Sequence, residues 1–193
     1  MNDSVDFHRD ILLRRLEVEN RSERPKHVRL FFHYDFLFWG VGSGDSIHFH
    51  PDGQFLVAYK DDCYFLMNAS TGGSFGISSW TTGFKDAAGN GGSASDAEDG
   101  VLDEKSNSFG SIDGVIAIDL PLIPPGSTSV AYTWMAAGRD LEQVRALDLA
   151  VRTRGPQYFI TRTMNYWQAW LDKEDIDFLT CPTRWCTSTD GAC

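Results

Sequence analysis

The strongest constraint in this 193-residue chain is a change of period near residue 139. Up to Gly138 the apolar side chains recur at every second position, or in short aromatic and β-branched runs, which is strand patterning. From Asp140 onward they recur at helical spacing. A chain patterned this way is expected to fold as an antiparallel β unit, residues 1–138, followed by two helices that lie against it.

The strand segments read as Ile11 to Asn20, Val28 to Phe38, Ser46 to His50, Gln54 to Tyr59, Cys63 to Asn68, Phe75 to Phe84, Ser111 to Leu120 and Thr128 to Ala136. In the first of these, Leu12, Arg14, Leu16 and Val18 share one parity. Turn chemistry separates the strands: Pro51-Asp52-Gly53 is a hairpin signal, and Leu122-Ile123-Pro124-Pro125-Gly126 breaks the chain before its last strand. Ala87 to Asn107 is rich in Gly, Ser, Asp and Glu and reads as a long excursion, either mobile or a functional loop. Asp140 is placed to cap a helix over Leu141, Val144, Leu147 and Val151, and Gly155-Pro156 stops it. A second helix is expected from Pro156 to about Leu171, with Tyr158, Phe159, Met164, Tyr166, Trp167 and Trp170 making it strongly aromatic.

Seventeen Lys and Arg against 27 Asp and Glu leave a net charge of −10, which argues against nucleic acid or an anionic membrane as partner. Apolar residues, at 42%, suffice for a core. Met1-Asn2-Asp3-Ser4-Val5-Asp6 is acidic where a secretory leader is basic, and no run is long enough for a transmembrane helix, so a cytoplasmic chain with reduced thiols is expected. Gly40-Val41-Gly42-Ser43-Gly44-Asp45 only superficially resembles a nucleotide loop: it lies between strands and lacks the dinucleotide register and the Walker Lys-Ser/Thr pair. His48 and His50 share a strand face, as do His33 and Asp35. Their bland reading is hydrogen-bonded or half-exposed imidazoles rather than a metal ring, so no metal and no cofactor is expected. Asp96, Glu98 and Asp99 read as solvated or turn-capping groups, because nothing in the spacing fixes the two separated carboxyls that glycosidase chemistry requires.

Three stretches, taken in order, resemble the prokaryotic and archaeal branch of glycoside hydrolase family 15, the glucoamylase-like and trehalase-like enzymes. The first is Leu13-Arg14-Arg15-Leu16-Glu17-Val18-Glu19-Asn20 running on through Val28-Arg29-Leu30-Phe31-Phe32-His33-Tyr34-Asp35-Phe36. The second is Gly44-Asp45 with Tyr59 and Tyr64-Phe65. The third is Ala137-Gly138-Arg139, Val144-Arg145-Ala146-Leu147 and Tyr166-Trp167-Gln168-Ala169-Trp170-Leu171. Ala97-Glu98-Asp99-Gly100 and Gly110-Ser111-Ile112-Asp113 fall between them in the matching order, and the likeness covers about residues 8 to 178.

That resemblance implies part of a galactose-mutarotase-like β super-sandwich (residues 1–138) and a helical linker (139–178) leading to an (α/α)6 barrel that this chain does not contain. The barrel carries the two catalytic glutamates, so no catalytic residue is assigned here, and neither Glu98 nor Glu174 fills that role. The implied function is a non-catalytic part of an enzyme that hydrolyses terminal α-linked glucose, in an α-glucan or trehalose, with inversion. Its sandwich would lend Trp39 and Asp45 from one loop, and Glu98 and Asp99 from another, to the rim of a sugar site. An incomplete sandwich is expected to leave inner faces open and edge strands unpaired. The alternatives are a free-standing carbohydrate- or protein-binding β domain that uses exposed rings such as Trp39 or Trp80, and a subunit of a split hydrolase paired with a separately encoded barrel.

After Phe178 the pattern is lost, and Cys181, Cys186 and Cys193 fall in an irregular tail, 179–193. Permissible codons for Leu179 to Cys193, read from the third nucleotide, encode Asp-Leu-Pro-Asp-Glu-Val-Val-His-Val-Tyr-Arg-Arg-Ser-Leu, a capped amphipathic helix. The tail is therefore expected to be a shifted frame or a truncated gene product.

Overall fold

Alternation builds the strands here, and short Gly- and Asp-bearing turns join them. The computed structural model describes residues 1–86 and 91–173, so the cysteine-bearing tail and its frame lie outside the described residues. Among the described residues the strands are β1 (Asn2–Val5), β2 (Ile11–Glu19), β3 (Arg29–Asp35), β4 (Asp45–His50), β5 (Phe55–Lys60), β6 (Cys63–Thr71), β7 (Ser74–Phe75), β8 (Ser79–Phe84), β9 (Asn107–Gly110), β10 (Ile112–Asp119) and β11 (Thr128–Gly138). Helices α1 (Leu141–Arg154) and α2 (Pro156–Lys173) follow. The protein is mainly β: an incomplete antiparallel sandwich with two helices after it.

The large sheet has the order β1-β2-β11-β6-β5-β4-β9, with β7 paired to β6; the small sheet is β3-β10-β8, and every pairing is antiparallel. Period two sorts the side chains between faces. Ile112, Ile116 and Ile118 of β10 meet Ile47, Leu56, Ala58, Met67 and Ala69 of the large sheet in the inter-sheet core. At Gly114 the sheets approach so closely that a β-carbon would stand 2.6 Å from the Ile47 Cδ1, so a larger residue there would require the Ile47 side chain to move.

Three strands do not cover the whole of the large sheet. Leu12 lies on the face opposite its buried neighbours Ile11 and Leu13 and remains exposed, so the inner face is open at that edge. The segment expected as one strand from Phe75 to Phe84 is two: β7 ends on the large sheet and β8 belongs to the small one. The described part of the 87–107 excursion lies over the outer face of the small sheet, where buried Leu102 and half-buried Ala97 pack on Val115, Ala117 and Phe31.

The outer face of the large sheet carries the helices. Asp140 caps α1, its carboxylate accepting from the Gln143 N–H at 2.7 Å, and Gly155 at φ 82° ends it. Val144 packs on Phe55, Val57, Leu66 and Ala136. Val151, with Phe159 and Ile160 of α2, packs on Ile11, Leu13 and Trp134. Asp148, buried beneath α1, accepts from Asn68 Nδ2 and from Trp134 Nε1, both at 2.9 Å. Burial pushes its pKa up, while those two bonds oppose the shift. No described helix is long and apolar enough to cross a membrane.

Candidate functional site

One end of the sandwich concentrates exposed apolar side chains above a fixed polar framework. Between β3 and β4 the chain makes a single 3-10 turn, Phe38–Gly40. Phe38 is buried and its ring lies 5.6 Å from that of Phe36 and 5.8 Å from that of Phe65. With Phe38 anchored, the next residue is turned outward: Trp39 has φ 55° and is 66% exposed. A left-handed conformation at a non-glycine residue costs about 1–2 kcal/mol, and the anchored ring before it and Gly40 after it hold the turn in place.

Asp45 organises this loop from below. Its carboxylate is buried, with Oδ1 3.0 Å from Lys60 Nζ, and Oδ2 accepts from the Phe38 N–H at 3.4 Å. Lys60 also donates to the carbonyls of Val41 (3.3 Å) and Ser43 (2.6 Å), so the glycine loop is wrapped around one ammonium. Asp45 is thus a framework residue, and Trp39 is the one that faces solvent.

Leu37 and Gly42–Gly44 form one wall of a cleft of about 740 Å³, and Phe84–Asp86 with Phe109–Ser111 form the other. Leu37, Phe84 and Phe109 are exposed at its mouth, and an ion pair joins Lys85 to Asp35 beside it. Phe84 and Phe109 escaped the sequence reading. The available signal was a large ring at a strand end opposite a glycine, Gly110, but the two are 26 positions apart in sequence.

Glu98 and Asp99 lie elsewhere. They are exposed in the loop after a 3-10 turn, Ser95–Ala97, where Asp99 accepts from the Val101 N–H at 2.8 Å. Arg29, at the start of β3, donates to the Gly100 carbonyl at 3.0 Å, whereas the glycine loop leaves β3 after Asp35. Six residues of strand, about 20 Å, separate those two ends. The structure brings Trp39 and Asp45 together and holds Glu98 and Asp99 at the other end of β3.

The histidines are held by neighbours of other kinds. His33 Nε2 is 2.9 Å from Asp113 Oδ2, and that buried carboxylate also accepts from the Ser93 N–H. His48 stacks on Tyr59 at 5.7 Å and His50 on Phe55 at 5.2 Å. Among the described residues no three metal-ligating side chains come together. Among the described residues, the buried carboxylates Asp6, Asp113 and Asp148 are engaged by Arg162, by His33 with the Ser93 N–H, and by Asn68 with Trp134, while Asp45 is ion-paired to Lys60 and accepts only from the Phe38 N–H. Trp80 is half-buried against Phe49 on the inter-sheet core, which leaves Trp39, among the described residues, as the tryptophan exposed at this end.

No family model matches the chain, and no curated protein matches it. Among solved structures it is similar to a bacterial glucoamylase complexed with acarbose, with a TM-score of 0.62 at 13% identity. The match covers 88% of this chain and 24% of that one, so this chain spans about a quarter of that protein's length. At that identity the likeness is one of fold.

Proposed function

We propose that this chain is the β-sandwich and linker part of a glucoamylase-like glycoside hydrolase, non-catalytic by itself. In this reading residues 1–138 are the sandwich, 139–178 are the linker, and a separate (α/α)6 barrel supplies the two catalytic carboxyls. The assembled enzyme removes terminal α-linked glucose from an α-glucan or from trehalose, with inversion at the anomeric carbon.

The single observation that carries this reading is the fold likeness to the bacterial glucoamylase, which covers 88% of this chain. Two features agree with it. Among the described residues the buried carboxylates are each held by a framework cation or hydrogen-bond donor rather than facing one another across a cleft. The far half of α2 exposes Met164, Tyr166, Trp167, Trp170 and Leu171, as expected of a helix that packs on a further apolar body. The sandwich then supports the barrel and presents Trp39, on the loop braced by Asp45, toward the sugar site. Glu98 and Asp99 belong to a second loop at a distance from it.

The test is glucose release from maltohexaose and from trehalose. The purified chain alone is expected to release none, and mixing it with a glucoamylase barrel deprived of its own sandwich is expected to restore release. Hydrolysis by the chain alone, or no gain on mixing with a barrel shown to be folded, overturns the reading.

A further inference from the structure

The Phe84 ring belongs to two clefts at once. On one side lies the apolar cleft described above; on the other is a polar one of about 580 Å³, lined by Ser93, Ser95, Asp96, Asp103 and Lys105. The ring takes the space that a side chain at position 110 would fill: a β-carbon on Gly110 would stand 2.6 Å from the Phe84 Cε2. Gly110, at φ 113°, lets the ring rest against bare backbone while the residue stays 52% exposed. An aromatic ring held in this way is a fixed apolar surface with hydrogen-bonding groups beside it.

The polar cleft has an unmet need. Ser93 is buried, and its Oγ has no hydrogen-bond partner, although its N–H is held by Asp113. A buried hydroxyl left unpaired is costly and calls for a partner. Around it, Asp96 accepts from the Asp103 N–H at 2.9 Å, and Asp103 and Lys105 add one charge of each sign. Two carboxylates against one ammonium disfavour an anion, and the mixture of donors and acceptors suits neutral hydroxyls. The apolar face of a pyranose ring, with its C–H groups, matches Phe84, and its hydroxyls match the flanking carboxylate, ammonium and serine.

We propose that Phe84 and the two clefts it joins form a binding surface for a neutral oligosaccharide chain, acting without any catalytic group. The surface itself stands on the geometry above; only the expectation that the glycan is α-linked rests on the glucoamylase-like reading. The test is titration calorimetry on the full chain with maltohexaose and, separately, cellohexaose. Maltohexaose is expected to bind, and Phe84→Ala to weaken binding about tenfold or more. Asp96→Asn, which retains an acceptor for the Asp103 N–H, is expected to weaken it by a smaller factor, and Trp167→Ala, remote on α2, to leave it unchanged. Thermal melts of each variant separate lost binding from lost folding. Binding of cellohexaose alone, with the same loss on Phe84→Ala, supports the surface and counts against the α-glucan reading. Failure of both glycans to bind, or undiminished binding by a folded Phe84→Ala variant, overturns the proposal.

Discussion

Within α2, Phe159 and Ile160 are buried against Ile11, Leu13 and Trp134, whereas every residue from Met164 to Asp172 is exposed. Ile160, Met164, Trp167 and Leu171 lie along one stripe of the helix at spacings of four, three and four. The first of them is covered and the other three are not. Side-chain chemistry does not separate them, because the uncovered part is as aromatic as the covered part. The sheet beneath them does. Under the start of α2 lie β2 and β11; farther along lie β1, a four-residue edge strand, and Phe7 just after it, whose ring stacks on Tyr166 at 4.3 Å, and the stripe runs out past them. Hydrophobic patterning states that a surface must be covered, and the layer opposite decides whether this chain covers it.

That contrast can be broken most severely at Phe159. Phe159→Ala opens a cavity between helix and sheet and is expected to cost about 3–5 kcal/mol in urea unfolding. A loss below about 1 kcal/mol would mean that the first half of α2 is not docked. Asp148→Ala comes next, because it leaves the Trp134 indole N–H unpaired in the interior and takes from the Asn68 amide the shorter of its two acceptors; a loss of about 2–3 kcal/mol is expected.

Asp148 also sets a pH slope. Its folded pKa is raised, so the folded state holds the proton more tightly than the unfolded chain does. Stability from this group is therefore full below the unfolded value and declines as pH rises through the raised one. Melts of the native chain are expected to lose ground to those of Asp148→Asn as pH rises above the ordinary aspartate range. A difference that stays constant or reverses would refute the assignment.

A smaller loss of about 1 kcal/mol is expected from Asp140→Ala, which removes the cap of α1, and thermal melting checks it. The smallest effect belongs to Trp167→Ala, under about 0.5 kcal/mol, although a tryptophan is removed. Light scattering should also show less self-association in that variant, because the ring is 52% exposed. A stability loss comparable to that of Phe159→Ala would mean that the far half of α2 is covered after all.

Much of this was legible in the sequence because it is local. The change from strand to helix patterning, the Asp140 cap and the Gly155-Pro156 stop each depend on residues within a few positions of one another, and each is found where the pattern puts it. Strands β1 and β9 were missed, being only four residues each and made largely of polar residues. The division of Phe75 to Phe84 between two sheets was missed as well, since period two says which residues share a face but not which sheet that face belongs to. Trp39 was recognisable as a candidate and is exposed. Asp45 was equally recognisable, yet Lys60, fifteen residues away, makes it a brace beneath the loop.

The sequence by itself determined the fold class and the order of its longer elements, because backbone periodicity, caps and turns are set by neighbours along the chain. Only the tertiary structure decided which apolar residues are core and which are surface. Phe38 is buried and Trp39 exposed one position apart, and Ile160 is buried and Trp167 exposed on one helical stripe. It also decided where a binding surface lies, since Phe84 becomes a platform only through Gly110, brought beside it by the pairing of β4 with β9 and of β10 with β8. Burial belongs to the partner across the gap, and that partner is distant in sequence.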